Sequence, residues 1–125
     1  MVSKILEIIG LEKKYNSGFS LKVDHLVTEE NKILVMIGPN GSGKSTLIRL
    51  ISLLESPDSG SIYFNDKLIT GKGIDKVMSR KEMSTVFQEP LLFNTSVYNN
   101  ILMGLEFRGK KNQAARKYLT ILSTN

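Results

Sequence analysis

The constraint that bears hardest on this chain is a glycine-rich loop, Gly38-Pro39-Asn40-Gly41-Ser42-Gly43-Lys44-Ser45, set between two apolar segments of different period. On its N-terminal side Ile33-Leu34-Val35-Met36-Ile37 is continuous hydrocarbon, the pattern of a strand buried on both faces of a parallel sheet. On its C-terminal side Leu47, Leu50, Ile51 and Leu54 recur at helical spacing and form one apolar face. Strand, glycine turn and helix, in that order, predict an α/β architecture.

The residue types in the loop point to one chemistry. Glycines at 38, 41 and 43 permit backbone conformations that a β-carbon disfavours, and they let main chain approach a ligand closely. Amide N–H groups that converge on a helix N-terminus attract phosphate oxygens. The spacing Gly38-x-x-x-x-Gly43-Lys44-Ser45 fits the phosphate-binding loop pattern, in which the lysine meets the β- and γ-phosphates and the hydroxyl ligates Mg²⁺. The bland alternative, a glycine-rich turn joining strand to helix, leaves Lys44 without a reason to stand where it does.

The remaining elements are read from local pattern. Lys4 to Leu11 reads as a strand, and Phe19 to Asp24 alternates apolar with polar residues as a half-buried strand does. Asn16-Ser17-Gly18 between them is a hairpin turn, so the chain begins with a small antiparallel unit. In the turn Glu30-Asn31-Lys32, Asn31 tolerates a positive φ. Ser56-Pro57-Asp58-Ser59-Gly60 ends the loop helix, Ile62-Tyr63-Phe64 is a short strand, and Asn65-Asp66 turns into Leu68-Ile69. A short helix is expected over 75–80 and a second buried strand over 83–87. Thr95 or Ser96 caps a further helix with Val97, Ile101 and Leu105 on one face, closed by Gly109 with Arg108 at its negative end. Ala115, Tyr118, Leu119 and Leu122 repeat the helical spacing.

Composition narrows the setting. Seventeen basic against twelve acidic residues give a net charge of +5, but no block of five or more like charges marks a nucleic-acid tail, so no nucleic-acid partner is expected. The tightest basic cluster, Arg108, Lys110 and Lys111, reads as solvated surface or a partner contact. The chain contains no cysteine, which excludes a disulfide framework and a cysteine zinc site. The longest uncharged stretch, Pro90 to Leu105, carries Asn94, Asn99 and Asn100 and is too polar to span a bilayer. The expectation is a cytoplasmic polypeptide, peripheral at the inner face of the cell membrane if it works with membrane partners.

The string Gly-Pro-Asn-Gly-Ser-Gly-Lys-Ser-Thr-Leu at 38–47 resembles the loop of ABC transporter ATP-binding subunits, and three other segments agree with it. Tyr15 lies where that family places an aromatic against the adenine ring; packing in a small core is its plainer reading. Ser56 to Ile62 resembles the family's turn and strand after the loop helix. Val86-Phe87-Gln88-Glu89-Pro90 resembles the glutamine loop, which implies that Gln88 offers its amide oxygen to Mg²⁺; otherwise it is a polar residue ending a strand. The resemblance covers roughly residues 4–107. Asn31 stands where the family often has glycine, and Ser52 replaces a common glycine in the loop helix. Pro90 to Tyr98 looks closest to importers of tungstate or related oxyanions.

This resemblance implies an N-terminal antiparallel β-subdomain plus part of a parallel-sheet core, spanning 1–125 as a partial ABC ATP-binding domain with the start of the helical subdomain. It implies ATP and Mg²⁺ as ligands. Gly38, Pro39, Asn40, Gly41, Ser42, Gly43, Lys44, Ser45, Thr46 and Tyr15 bind the nucleotide, Ser45 and Gln88 face the metal, and Lys44 and Gln88 take part in catalysis. It implies permease subunits and a second ATP-binding subunit as partners. The family's second half carries a Leu-Ser-Gly-Gly-Gln signature, an apolar strand ending in Asp, a catalytic Glu and a switch His. None of these occurs among these residues, and the one histidine, His25, precedes the loop in an alternating strand. The expectation is therefore a truncated or partial product that binds ATP with little turnover. The competing readings are a non-catalytic nucleotide-binding regulatory module and another P-loop ATPase, such as a DNA-repair ATPase.

Overall fold

The structure, a computed structural model, describes residues 3–89 and 92–109. They fall into two compact units, Met1–Ser84 and Thr85–Asn125.

The first unit is a four-stranded antiparallel sheet, in spatial order β2-β1-β3-β4, with a helix packed into its core. Strand β1 (Lys4–Lys14) and β2 (Ser20–Glu29) form the expected hairpin, longer than their apolar patterns suggest. Its turn is closed by Tyr15 N–H donating to Phe19 O at 2.9 Å and Gly18 N–H to Tyr15 O at 3.0 Å, with Gly18 at φ 86°. His25 sits opposite Ile9 in this ladder, its Nε2 3.1 Å from Glu7 Oε1. Strand β3 (Ser59–Phe64) pairs with the other edge of β1, and Asn65 and Asp66, both at positive φ, turn the chain into β4 (Lys67–Leu68).

Strict alternation along β1 would place Ile8 and Gly10 on one face. Instead Ile8 and Leu11 are both fully buried. The β1–β3 register slips between Ile9↔Ser61 and Glu12↔Ser59, and Gly10 lies at φ 57°. This bulge turns Leu11 inward. Gly60 presses against the same bulge: a β-carbon there would stand 2.3 Å from the Gly10 carbonyl oxygen. Leu47, Leu50, Leu53, Ile62 and Ile69 complete the core. Thr70 is buried beside it, and its hydroxyl accepts from Ile62 N–H at 3.0 Å.

The loop helix α1 (Lys44–Ile51) ends sooner than the apolar spacing predicts. Leu53 N–H donates to Leu50 O, Leu54 N–H donates to Arg49 O at 2.9 Å, and Leu53 adopts φ 58°. This left-handed exit satisfies two terminal carbonyls. It also exchanges the expected core residue: Leu53 is buried and Leu54 is 52% exposed. The expected short helix is present as α2 (Lys76–Lys81), capped by Asp75, whose carboxylate accepts from Val77 and Met78 N–H. Asn31 takes φ 60°, as its turn requires.

The two buried strands expected over 33–37 and 83–87 do not form. Both segments run without ladder hydrogen bonds, with Ile33 92%, Ile37 93% and Val86 95% exposed. A parallel strand owes its order to non-local neighbours, and no described strand lies alongside either segment. Only Met36 and Met83 of these runs pack against the core.

In the second unit α3 (Val97–Phe107) is capped by Ser96, whose hydroxyl accepts from Asn99 N–H at 3.2 Å. Asn100 binds the preceding segment twice over: its Oδ1 accepts from Phe93 N–H at 2.8 Å, and its Nδ2 donates to Phe93 O at 3.0 Å. Arg108 donates to Gly104 O at 2.9 Å, and Gly109 at φ 70° closes the helix as expected. The spacing at Ala115, Tyr118, Leu119 and Leu122 lies outside the described residues. No helix of the described residues is long and apolar enough to cross a membrane.

Candidate functional site

The loop at 38–45 has the conformation its sequence asks for. Gly41 and Gly43 lie at φ 80° and 94°, where an L side chain is strained. Ser42 N–H donates to Pro39 O at 3.3 Å and closes the turn. A β-carbon on Gly38 would come within 2.9 Å of Ser42 Oγ. Gly43 is the N-cap of α1, and Leu47 N–H donates to its carbonyl at 2.8 Å.

That cap carries no side chain, and α1 has no acidic residue in its first turn. The opening amides of the helix, with Ser45 exposed among them, therefore retain their partial positive charge. The Lys44 ammonium folds back over the loop and donates to Gly38 O at 2.6 Å, Pro39 O at 2.7 Å and Ser42 Oγ at 3.3 Å. Two carbonyls and a hydroxyl thus fix a cation beside the uncapped N-terminus of α1. Such an arrangement is complementary to a polyanion of phosphate size. Asn40 sits exposed at the loop tip.

The β1–β2 hairpin reaches this loop. A β-carbon on Gly43 would meet Leu21 Cδ1 at 2.9 Å and Phe19 Cζ at 3.1 Å. Tyr15, half-buried at the end of β1, meets the Phe19 ring at 5.9 Å between centroids and 40° between planes. Its phenol donates to Glu55, and that hydrogen bond holds the Tyr15 hydroxyl above its usual pKa of 10.0; Thr46 and Lys13 oppose the shift. Tyr15, Thr46 and the loop are therefore brought together within one unit. Gln88 is exposed in a bend of the second unit.

Sequence pattern missed Glu55, Phe19 and Leu21 as neighbours of the site. Phe19 and Leu21 were legible only as alternating strand residues. Nothing local marks Glu55, whose place depends on the left-handed exit of α1. Among the described residues no cluster of three His, Asp or Glu side chains could hold a metal ion. A magnesium ion would instead take most of its ligands from phosphate and water, and the exposed Ser45 hydroxyl fits a site of that kind.

The sequence profile of the family described as ABC transporter matches residues 21–125. The phosphate import ATP-binding protein PstB 1 of Streptococcus pyogenes serotype M12 is 39% identical over 119 residues, which is 91% of this chain and 47% of that protein. The chain thus spans about half the length of the curated relatives it matches. The structure of cbiO1 from Clostridium perfringens, part of the ABC transporter complex cbiONQ, superposes with a TM-score of 0.73 at 30% identity, over 94% of this chain and 48% of that one. An ATP-binding subunit of an ABC transporter shares the fold with a TM-score of 0.75 at 24% identity, covering 88% and 45%. A glycine loop with this lysine geometry, in a chain that the family profile matches over most of its length, belongs to the ABC transporter family as an N-terminal portion of its nucleotide-binding domain.

Proposed function

We propose that this chain binds magnesium ATP at the 38–46 loop and that, in the complete protein, hydrolysis of that ATP powers transport across a membrane. The observation that carries the reading is the Lys44 ammonium fixed to Gly38 and Pro39 O beside the uncapped helix N-terminus. Backbone amides of Gly41, Gly43 and Lys44 cradle the β- and γ-phosphates, and Lys44 neutralises them. The exposed Ser45 hydroxyl would serve as a ligand to magnesium, which would supply charge neutralisation at the terminal phosphates. Thr46 lines the same first turn. Tyr15 offers a ring face to the adenine base, worth roughly 1–3 kcal/mol by analogy with base–aromatic stacking.

The resemblance of 86–90 to the glutamine loop adds Gln88 to this proposal as a residue whose amide oxygen faces the metal and senses the attacking water. In the complete protein, permease subunits and a second ATP-binding subunit are the partners, at the cytoplasmic face of the membrane. The named relatives include a phosphate importer and a member of the cbiONQ complex, so the likeness of 90–98 to tungstate or oxyanion importers is carried only as far as an importer.

Titration calorimetry of the chain with magnesium ATP, against Lys44→Ala, tests the proposal. Saturable magnesium-dependent binding that is lost in the variant is expected. A folded sample that gives no heat with magnesium ATP, or binds equally without Lys44, overturns it.

A further inference from the structure

The Tyr15 ring is fixed from outside its own hairpin. Its phenol donates to the Glu55 carboxylate, and Glu55 is paired with Arg49 of α1, Nη1 to Oε1 at 3.5 Å. The Glu55 side chain is only 25% exposed. The left-handed exit of α1 delivers it there, with Glu55 N–H donating to Arg49 O at 3.3 Å. On the ring itself, the Lys13 ammonium stands 5.7 Å from the centroid and is tied to Asp58 at 3.2 Å, while Phe19 borders the ring at a tilt. A tyrosine has two side-chain torsions. Anchoring its hydroxyl to one element and its Cα to another leaves little freedom in either.

Glu55 and Arg49 belong to the same short segment as the phosphate loop. The ring plane of Tyr15 is therefore referenced to the loop and not merely to the hairpin. We propose that Glu55 is a positioning residue for the nucleobase: it holds the Tyr15 ring in the orientation that a base must meet when the triphosphate of the same nucleotide sits on the 38–45 loop. The proposal rests on the phosphate-loop reading above. A preset face spares the bound nucleotide the ordering of a free side chain, which appears as affinity for the base-bearing ligand only.

The discriminating comparison is magnesium ATP against magnesium tripolyphosphate, which carries the phosphates without the base. Calorimetry on the full chain is expected to show tighter binding of ATP. Glu55→Ala and Tyr15→Phe each weaken ATP about three- to tenfold, the scale of one hydrogen bond, and leave tripolyphosphate unchanged. Glu55→Gln, whose amide oxygen still accepts from the phenol, restores most of the loss. The double variant is no weaker than either single one, because both remove the same contact. Tyr15→Phe retains ring and volume, so it stays informative if Glu55→Ala fails to fold.

Equal loss for both ligands, or no loss for either, overturns the role of Glu55. A native chain that binds the two ligands equally overturns the base platform while leaving the phosphate loop standing. A native chain that binds neither overturns the phosphate-loop reading, and this proposal with it.

Discussion

The ammonium of Lys44 reaches back across its own loop to the carbonyl oxygen of Gly38, 2.6 Å away, and to that of Pro39 at 2.7 Å. It serves both as a brace for the loop and as the cation offered to a ligand. Lys44→Ala should therefore lower magnesium ATP affinity by about one to two orders of magnitude, the loss of a charge-assisted contact worth about 1.5–3 kcal/mol. Lys44→Arg should not restore it, because a planar guanidinium cannot reproduce the compact ammonium whose separate N–H groups reach both carbonyls from one point. Calorimetry with each variant checks both statements.

Gly60 and Gly18 share a positive φ of 86° but differ in their surroundings. An added methyl at Gly60 meets the Gly10 carbonyl oxygen at 2.3 Å, whereas at Gly18 nothing lies within 4 Å. Gly18→Ala should cost about 1–2 kcal/mol from backbone strain alone. Gly60→Ala should cost more, since main chain must also move. Urea denaturation midpoints for the two variants, compared under one condition, give the order directly; the reverse order would refute the bulge contact.

Gly43→Ala tests the seam between hairpin and loop. The methyl would press on Leu21 Cδ1 and Phe19 Cζ as well as strain the backbone at φ 94°. Stability should fall by about 1–3 kcal/mol. Affinity for magnesium ATP should fall with it, since the cap of α1 shifts. Adding Leu21→Ala, which clears the closer of the two contacts, should recover part of the binding loss but not the backbone strain.

The apolar runs give a contrast in core truncation. Leu50 is fully buried, and Leu50→Ala should destabilise the chain by about 2–5 kcal/mol. Ile33, 92% exposed, is as hydrophobic, yet Ile33→Ala should change stability by less than about 0.5 kcal/mol. Chemical denaturation of both variants measures the difference, and a large effect at Ile33 would show that 33–37 is buried in solution.

Asp58 accepts from Lys14 N–H at 2.7 Å and pairs with Lys13, which hold its carboxyl below the ordinary 3.8. A depressed carboxyl contributes stability above its unfolded value and loses it as pH falls through the folded one. Glu7, lowered by His25 and then by Lys4, acts with the same sign. Thermal melts at descending pH should show Asp58→Asn less stable than the native chain near neutrality. The gap should close only below about pH 4, near the free carboxyl value.

Much of this was legible in local chemistry. The glycine loop, the hairpin turns at Gly18 and Asn65-Asp66 and the Gly109 stop each depend on a few adjacent residues, and each stands where the sequence places it; of the two cap candidates Thr95 and Ser96, the structure uses Ser96. The apolar run 33–37 shows the limit. Hydrophobicity marks a segment as fit for a buried strand, but pairing requires a neighbour that the run itself cannot specify.

The sequence by itself determined the loop on which the proposed phosphate binding rests, because conformational freedom at three glycines and one cation at a fixed step are properties of consecutive residues. Only the tertiary structure decided that Leu53 and not Leu54 enters the core, that Gly60 abuts Gly10, and that Glu55 takes hold of Tyr15. Those contacts join residues far apart in the chain. They are set by a helix exit, a bulge and a sheet register, whose geometry no periodicity encodes.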